Sequence, residues 1–322
     1  MVVDYRWLNE CTLPDAYPLP LIDDILCRQG KNRVWTVLDM KHGYHQMPLA
    51  PEARPLTTMS IPGKGLYQWK VMPMGVRNGN AQFQRMMEWV LKDLPFADVY
   101  VDDVIIGSTG VDEQDMLANH ARHVEQVLEL FAKHDLVAKL SKASFFSRSV
   151  EFCGQILEGG RRRPQPGKLD AIQRWELPQT LTELRGFLGV ANYYSSYLKD
   201  YAQVAGPLMD LLKVPKGKSK GKDAKRLVWC PVAEEAFRAT KRLLAERLEL
   251  FIVEPDRPFH METDASDFAI GATLKQMDDD GSRTGTPGAM YPVAFFSRKL
   301  QHSQQNWSAR EKEAYAIVSS LE

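Results

Sequence analysis

Features that would narrow the class of protein are scarce in this chain. It has 322 residues, only four cysteines, no net formal charge and no long apolar run. The cysteines are scattered and include no Cys-x-x-Cys pair, which argues against a zinc site or a disulfide framework and favours a reducing compartment. No apolar run approaches the roughly 20 residues of a membrane span, so we expect no membrane partner.

The composition is that of an ordinary globular protein. Hydrophobic residues make up 44% and charged residues 25%, and the length suffices for two domains or more. Acidic and basic residues number 41 each, so the overall charge indicates no particular partner. Residues 1–6 resemble the middle of a strand and residues 310–322 a helix still in progress, so we expect a piece of a longer protein.

Two adjacent acids are the most informative local feature. Asp102 and Asp103 lie between the apolar, β-rich runs 96–101 and 104–107, which predicts a hairpin that turns at the acids. A tight hairpin turn usually contains glycine, whereas paired aspartates repel each other. A bound divalent cation would compensate, because such ions prefer hard oxygen ligands. An exposed acidic turn is the simpler alternative.

A third acid, Asp39, follows the apolar run 34–38. An ordinary loop carboxylate is one interpretation of this position. Together with Asp102 and Asp103 it would give three convergent carboxylates, the minimum for holding two divalent ions about 4 Å apart at a phosphoryl-transfer site.

Periodicity predicts an α+β sheet with helices on one face. The expected helices are near residues 21–28, 78–92, 113–134 and 181–197, and the expected extended segments are near 34–40, 55–71, 137–140 and 150–157. His120 and His123 have the spacing of metal ligands on a helix, but a solvent-facing helix surface is the simpler interpretation.

Several motifs together resemble the reverse transcriptase of gypsy-type long-terminal-repeat retrotransposon polyproteins. In chain order, the matching segments are residues 2–9, 17–23, 38–46, 72–75, 83–84 and 100–103, the last reading Tyr-Val-Asp-Asp. Residues 184–194 are similar to that family's thumb, and residues 263–266 and 310–313 look like the opening of its ribonuclease H domain.

The resemblance implies a right-hand polymerase followed by a truncated ribonuclease-H-like α/β domain. Residues 1–160 would form partial fingers and the palm, and residues 161–213 a thumb-like helical region. Residues 214–226, rich in lysine, glycine and serine, would form a basic flexible linker. Residues 227–322 would be the incomplete ribonuclease-H-like part.

The resemblance also implies the catalytic groups. Asp39 and Asp102 would bind two Mg²⁺ ions, which Mn²⁺ could replace, with Asp103 as a supporting ligand. Tyr44 matches the aromatic residue that excludes a 2′-hydroxyl, although a half-buried strand tyrosine is an equal alternative. Asp264 and Glu313 would be the first two of four ribonuclease H carboxylates, so we expect this portion to be inactive.

Four further residues are implied as substrate contacts. Gly75 and Gln84 would line the nucleotide and template, and Gly154 would lie in the hairpin that grips the primer. Lys142 would lie near the triphosphate, with a plain solvated charge as the alternative. The sequence departs from the family at Asn80, where a proline is usual. By the same resemblance, the basic residues that hold the triphosphate would lie upstream of residue 1.

The implied activity is RNA-directed DNA polymerisation, with an RNA or DNA template and its primer as partners and deoxynucleoside triphosphates as substrates. A non-catalytic nucleic-acid-binding remnant is one alternative, and an interaction module recruited by a host is another. The resemblance implies a cytoplasmic retroelement particle, or the nucleus, as the location. The sequence indicates no oligomeric state.

Overall fold

The computed structural model describes residues 3–213, 227–246 and 248–322. The chain divides into two compact units, one of Met1–Cys153 with Leu157–Gly160 and the other of Gly154–Ile156 with Arg161–Glu322. The expected thumb-like region and the described part of residues 227–322 therefore lie in the same unit. The expected linker, residues 214–226, lies outside the described residues.

The first unit alternates helices with short antiparallel strands. Its helices are α1 (Arg6–Cys11), α2 (Ile22–Gln29), α3 (Gly79–Leu91) and α4 (Glu113–Lys133). Its strands are β1 (Val34–Asp39), β2 (Met59–Ile61), β3 (Gly65–Tyr67), β4 (Ala97–Tyr100), β5 (Asp103–Ser108), β6 (Ser144–Ser147) and β7 (Ser149–Phe152). The predicted helices near 21–28, 78–92 and 113–134 are thus confirmed.

One antiparallel sheet organises this unit, with the strand order β4-β5-β1-β6. Five successive residues of β5 are buried, because the sheet is covered on both faces. Phe83 and Met87 of α3 and Val127 and Phe131 of α4 pack in one core with residues of β1 and β5. The end of β1 and the start of β5 are therefore held rigidly side by side.

Two expectations for this unit are wrong. Residues 137–140 form no strand, because they make only one isolated antiparallel bridge to the end of β1. Ala138 pairs with Met40 through the bonds from Lys41 N–H to Val137 O and from Lys139 N–H to Asp39 O. His120 does not face solvent; its side chain is fully buried between α4 and the sheet, where it bonds Thr36 and Ser108.

The second unit contains a helical cluster and a three-stranded sheet. The division falls in the hairpin between β7 and β8 (Gln155–Glu158). The remaining elements are β9 (Arg161–Pro164), α5 (Pro166–Gln173), α6 (Leu181–Tyr193), α7 (Tyr201–Leu211), α8 (Pro231–Ala245), β10 (Leu250–Phe251), β11 (Phe259–Ala265), β12 (Ala269–Asp278), β13 (Ala289–Lys299), α9 (His302–Gln305) and α10 (Ala309–Leu321).

Packing joins the helices of this unit to its sheet. The core of the helical cluster is built around Phe187, Tyr201 and Phe237, and β11, β12 and β13 form an antiparallel sheet against which α10 packs. Helix α7 lies against β13, where Ser297 Oγ accepts from Ala202 N–H at 2.9 Å. In the described part of the chain, no helix is both long and apolar enough to span a bilayer.

Candidate active site

The three acids of the first unit meet at one edge of its sheet. Asp39 is the last residue of β1 and pairs with Asp103, the first residue of β5. Tyr100 also pairs with Asp103, so the turn residues are Val101 and Asp102 rather than the two aspartates. The carbonyl of Asp102 accepts from Met40 N–H at 3.0 Å. Strand register therefore brings all three residues together, although Asp39 is more than sixty positions away in the sequence.

Burial and mutual repulsion make this edge electrostatically unfavourable. Burial raises the pKa of Asp102 and of Asp103, and the charge of Asp39 raises both further. Lys142 opposes the effect, because its Nζ lies 2.7 Å from Asp39 Oδ2. One oxygen remains unsatisfied: Asp102 Oδ1 is buried and has no hydrogen-bond partner among the described residues.

This donor set has the chemistry of a divalent cation site. Three carboxylates supply hard oxygen ligands, and their repulsion is only partly offset by the single ammonium of Lys142. Within the described ranges, no group of three or more histidine, cysteine, aspartate or glutamate side chains is arranged to hold a metal ion. The three carboxylates thus have the donor atoms that suit a cation, but in the present arrangement they do not surround a cation position, and Asp39 is paired with Lys142.

Tyr44 borders the carboxylates. Its ring is half-buried and packs edge-to-face on Phe83, with the ring centroids 5.7 Å apart. Burial and then the charge of Asp102 raise the pKa of its hydroxyl. The preceding Gly43 lies under Phe83, so that a Cβ there would come within 2.9 Å of the ring. Glycine is thus required for the close approach that positions Tyr44 beside Asp102.

The Tyr44 hydroxyl donates to Asn80 Oδ1 at 2.6 Å. This contact was not predicted from the sequence, although the replacement of the family's usual proline by a polar residue at position 80 was a signal. Proline has no side-chain acceptor, so the bond depends on this substitution.

Gln84 lies behind the hairpin turn and has no exposed surface. Its Oε1 accepts from Val101 N–H at 2.6 Å, and its Nε2 donates to Val99 O at 3.0 Å. The resemblance implies that Gln84 lines the nucleotide and template. In the structure its side chain instead bonds the backbone of the acidic hairpin.

The remaining expected contact residues are glycines in the left-handed region. Gly75 has a φ of +92° and Gly154 a φ of +77°, values that L side chains adopt only under strain. Gly154 lies in the two-residue turn between β7 and β8. Both residues thus have a backbone reason to be glycine that is independent of any substrate.

The two expected ribonuclease H acids lie in the second unit. Asp264 is exposed on β11, and its Oδ1 accepts from Ala265 N–H at 2.9 Å. It lines a cavity of about 340 Å³ together with Asp200 and Glu262. Glu313 is exposed on α10, which packs against β11, and it is not among the residues that line this cavity.

Two protein families match separate parts of the chain. Residues 1–157 match the family described as reverse transcriptase (RNA-dependent DNA polymerase). Residues 229–322 match the family described as the RNase H-like domain found in reverse transcriptase.

Curated relatives match along the whole chain. The retrovirus-related Pol polyprotein from transposon gypsy of Drosophila melanogaster is 36% identical over 327 residues, covering 100% of this chain and 30% of the relative. The corresponding polyprotein from transposon 297 of the same species is 35% identical, covering 99% and 28%. The transposon Tf2-3 polyprotein of Schizosaccharomyces pombe is 32% identical, covering 100% and 22%. The chain thus spans less than a third of the length of these relatives.

Solved structures share the fold at low sequence identity. A foamy viral protease-reverse transcriptase, form dRH, in complex with double-stranded DNA superposes with a TM-score of 0.86 at 20% identity, covering 100% of this chain and 52% of that one. The foamy viral enzyme in complex with an RNA/DNA hybrid superposes with a TM-score of 0.81 at 20% identity, covering 99% and 40%.

The fold is therefore that of a right-hand polymerase followed by an RNase H-like portion. The chain belongs to the reverse transcriptase family, among the Pol polyproteins of gypsy-type long-terminal-repeat retrotransposons. The resemblance that the motifs indicated is confirmed.

Proposed function

We propose that this chain is the polymerase part of a retrotransposon reverse transcriptase. It would add deoxynucleotides to the 3′-hydroxyl of a primer while copying RNA or DNA. Primed nucleic acid as the partner is supported by the complexes of the structural neighbours, which hold double-stranded DNA and an RNA/DNA hybrid. Deoxynucleoside triphosphates as substrates follow from the family alone.

The observation that carries the proposal is the register of the two strands. Asp39 is opposite Asp103, and Asp102 occupies the turn next to them. Residues directly opposite on antiparallel strands have Cβ atoms about 5 Å apart and project from the same face of the sheet. A pair of acids so placed, with a third in the adjoining turn, can hold divalent cations, which neutralise the charge of a reacting phosphate.

Each side chain has a distinct role in this proposal. Asp39, Asp102 and Asp103 would hold Mg²⁺ or Mn²⁺, which when bound supplies positive charge at the reacting phosphate. Lys142, now paired with Asp39, is long enough to turn its ammonium towards a triphosphate. The half-buried ring of Tyr44 would form the floor under the incoming sugar. The protein otherwise positions the primer hydroxyl and the nucleotide.

A primer-extension assay with wild-type protein and two aspartate variants tests the function. Asp102→Asn removes one ligand charge while preserving shape, and we expect extension to fall by about 100-fold or more with little change in duplex affinity. Asp93→Asn is the matched control, because Asp93 is an exposed acid of the same unit outside the hairpin. It should extend like wild type.

Duplex affinity is measured in parallel by fluorescence anisotropy. Wild-type protein that binds primed template but extends no primer with Mg²⁺ or Mn²⁺ would overturn the polymerase proposal. That result would support a non-catalytic nucleic-acid-binding protein, for which the ion pair between Lys142 and Asp39 would be the resting state of the site.

A further inference from the structure

The turn that carries Asp102 contains a strained residue. Val101 has a φ of +53°, in the left-handed region. A β-branched side chain is rare there, because its Cβ crowds the neighbouring carbonyl. Glycine or asparagine would be the ordinary choice in such a turn. Something outside the turn must therefore hold Val101 in this conformation.

Gln84 makes the bonds that could do so. Its Oε1 accepts from the N–H of Val101 itself at 2.6 Å, and its Nε2 donates to the carbonyl of Val99 at 3.0 Å. The two bonds grip the backbone on either side of Tyr100, immediately before Asp102. Because Gln84 is fully buried, water does not compete for them.

The amide of Gln84 is itself fixed from behind. Its Nε2 also donates to Glu88 Oε1 at 2.7 Å, one helical turn further along α3. The other carboxylate oxygen of Glu88 accepts from the Tyr17 hydroxyl. Both N–H groups and the carbonyl of the amide are thus used, and rotating the amide by half a turn would place its N–H groups against the N–H of Val101. The orientation of Gln84 is determined by its partners.

We propose that Gln84 is a positioning residue for nucleotidyl transfer, which holds the strained Val101 turn so that Asp102 and Asp103 face Asp39. The inference rests on the proposed polymerase function. It gives Gln84 a role without substrate contact, since the residue has no exposed surface. Freed from Gln84, Val101 would relax towards negative φ, and the peptide that carries Asp102 would rotate with it.

Gln84→Met tests the proposal, because methionine matches the length of glutamine but makes neither backbone bond. The Val101 amide should lose its protection in hydrogen exchange. We expect kcat for primer extension to fall about 10-fold to 100-fold, while KM for the nucleotide changes less than about twofold. A merely structural role would not separate kcat from KM in this way.

Gln29→Met is the matched control. Gln29 is also a buried glutamine of this unit, with its Nε2 donating to Asp98 Oδ2 at 2.8 Å and its Oε1 accepting from Asn32 at 2.8 Å. It should lose similar thermal stability while keeping kcat and the protection of Val101. Equal losses of kcat in the two variants would reduce Gln84 to an ordinary core residue.

A second substitution makes the test independent of whether Gln84→Met alone folds well. Val101→Gly relieves the strain, because glycine adopts φ near +53° freely. Val101→Gly combined with Gln84→Met should recover most of the lost kcat and stability, and the two changes should show coupling in a double-mutant cycle. Strictly additive effects, or an unchanged Val101 amide in Gln84→Met, would overturn the proposal.

Failure of the positioning role of Gln84 can be distinguished from failure of the proposed polymerase function. If wild-type protein extends no primer, the polymerase proposal fails, while hydrogen exchange and the double-mutant cycle still decide whether Gln84 holds the turn. If wild type extends primers and Gln84→Met does so equally well, only the positioning role fails.

Discussion

Acidification should destabilise the first unit through a single buried imidazole. His120 has no exposed surface, and both ring nitrogens are engaged, Nε2 with Thr36 Oγ1 and Nδ1 with Ser108 Oγ, each at 2.8 Å. The neighbouring His123 bonds the same Ser108 hydroxyl, and Phe146 packs edge-on against the His120 ring. Burial, followed by the nearby His123, lowers the pKa of His120 from 6.5 to about 4.

The sign and size of the effect follow from this pKa. Between pH 4 and 6.5 the unfolded chain binds a proton at His120 that the folded protein does not, so the free energy of unfolding decreases as the pH falls through this range. A difference of about 2.5 pKa units corresponds to roughly 3 kcal/mol in full, and to about 2.5 kcal/mol at a pH near 4.5. The contribution is fully present above about pH 6.5.

Urea unfolding at pH near 7 and near 4.5, followed by hydrogen exchange in α4, measures the loss. His120→Gln keeps a donor and an acceptor but cannot be charged, so its loss between the two pH values should be smaller than that of wild type by about 2.5 kcal/mol. The carboxyl groups of Asp102 and Asp103 have raised pKa values and contribute with the opposite sign, but equally in both proteins.

His302→Gln is the control, because His302 is exposed. This variant should lose as much free energy of unfolding between the two pH values as the wild-type protein does. An equal loss in wild type and His120→Gln would refute the reasoning. So would an imidazole NMR signal of His120 that titrates near 6.5 in the folded protein.

Two further predictions concern the candidate sites. Asn80→Ala removes the acceptor of the Tyr44 hydroxyl, so the ring should move more freely. Discrimination against ribonucleotides in primer extension should therefore weaken by about 2- to 10-fold. Unchanged discrimination would show that the bond does not hold the ring. We expect wild-type protein to cleave an RNA/DNA hybrid no faster than the background rate, because the exposed Asp264 and Glu313 alone bind metal ions weakly. Asp264→Asn should therefore change nothing. Cleavage by wild type that disappears in this variant would contradict an inactive ribonuclease H portion.

Much of the local structure could be predicted from the sequence because it follows from short-range patterns. Helix α4 and the strand β1 appear within about one residue of their expected bounds, since periodicity and capping act over a few residues. Thr180 caps α6 by accepting from Glu183 N–H, in keeping with the preference for threonine at the start of a helix. The hairpin of Asp102 was expected from its flanking runs, although its turn lies one residue earlier.

What could not be predicted depends on contacts between distant segments. Periodicity places His120 on a helix but does not indicate that hydroxyl groups of β1 and β5 lie opposite its ring. The motif that contains Gln84 indicates a family, not the direction in which the side chain points. The bond between Tyr44 and Asn80 likewise joins residues 36 positions apart, so that only the fold brings it about.

The acidic edge also explains why an exposed structural turn is an inadequate interpretation of the paired aspartates. Because burial and mutual charge raise the pKa values of Asp102 and Asp103, their ionised forms are less favourable in the folded protein than in the unfolded chain, and they reduce stability at neutral pH. The unsatisfied Asp102 Oδ1 and the strained Val101 reduce it further. A turn selected for stability alone would contain glycine or asparagine, with neither the charge nor the strain. The surrounding structure instead offsets these costs with Lys142 and Gln84, as expected of a hairpin whose acids are needed for chemistry.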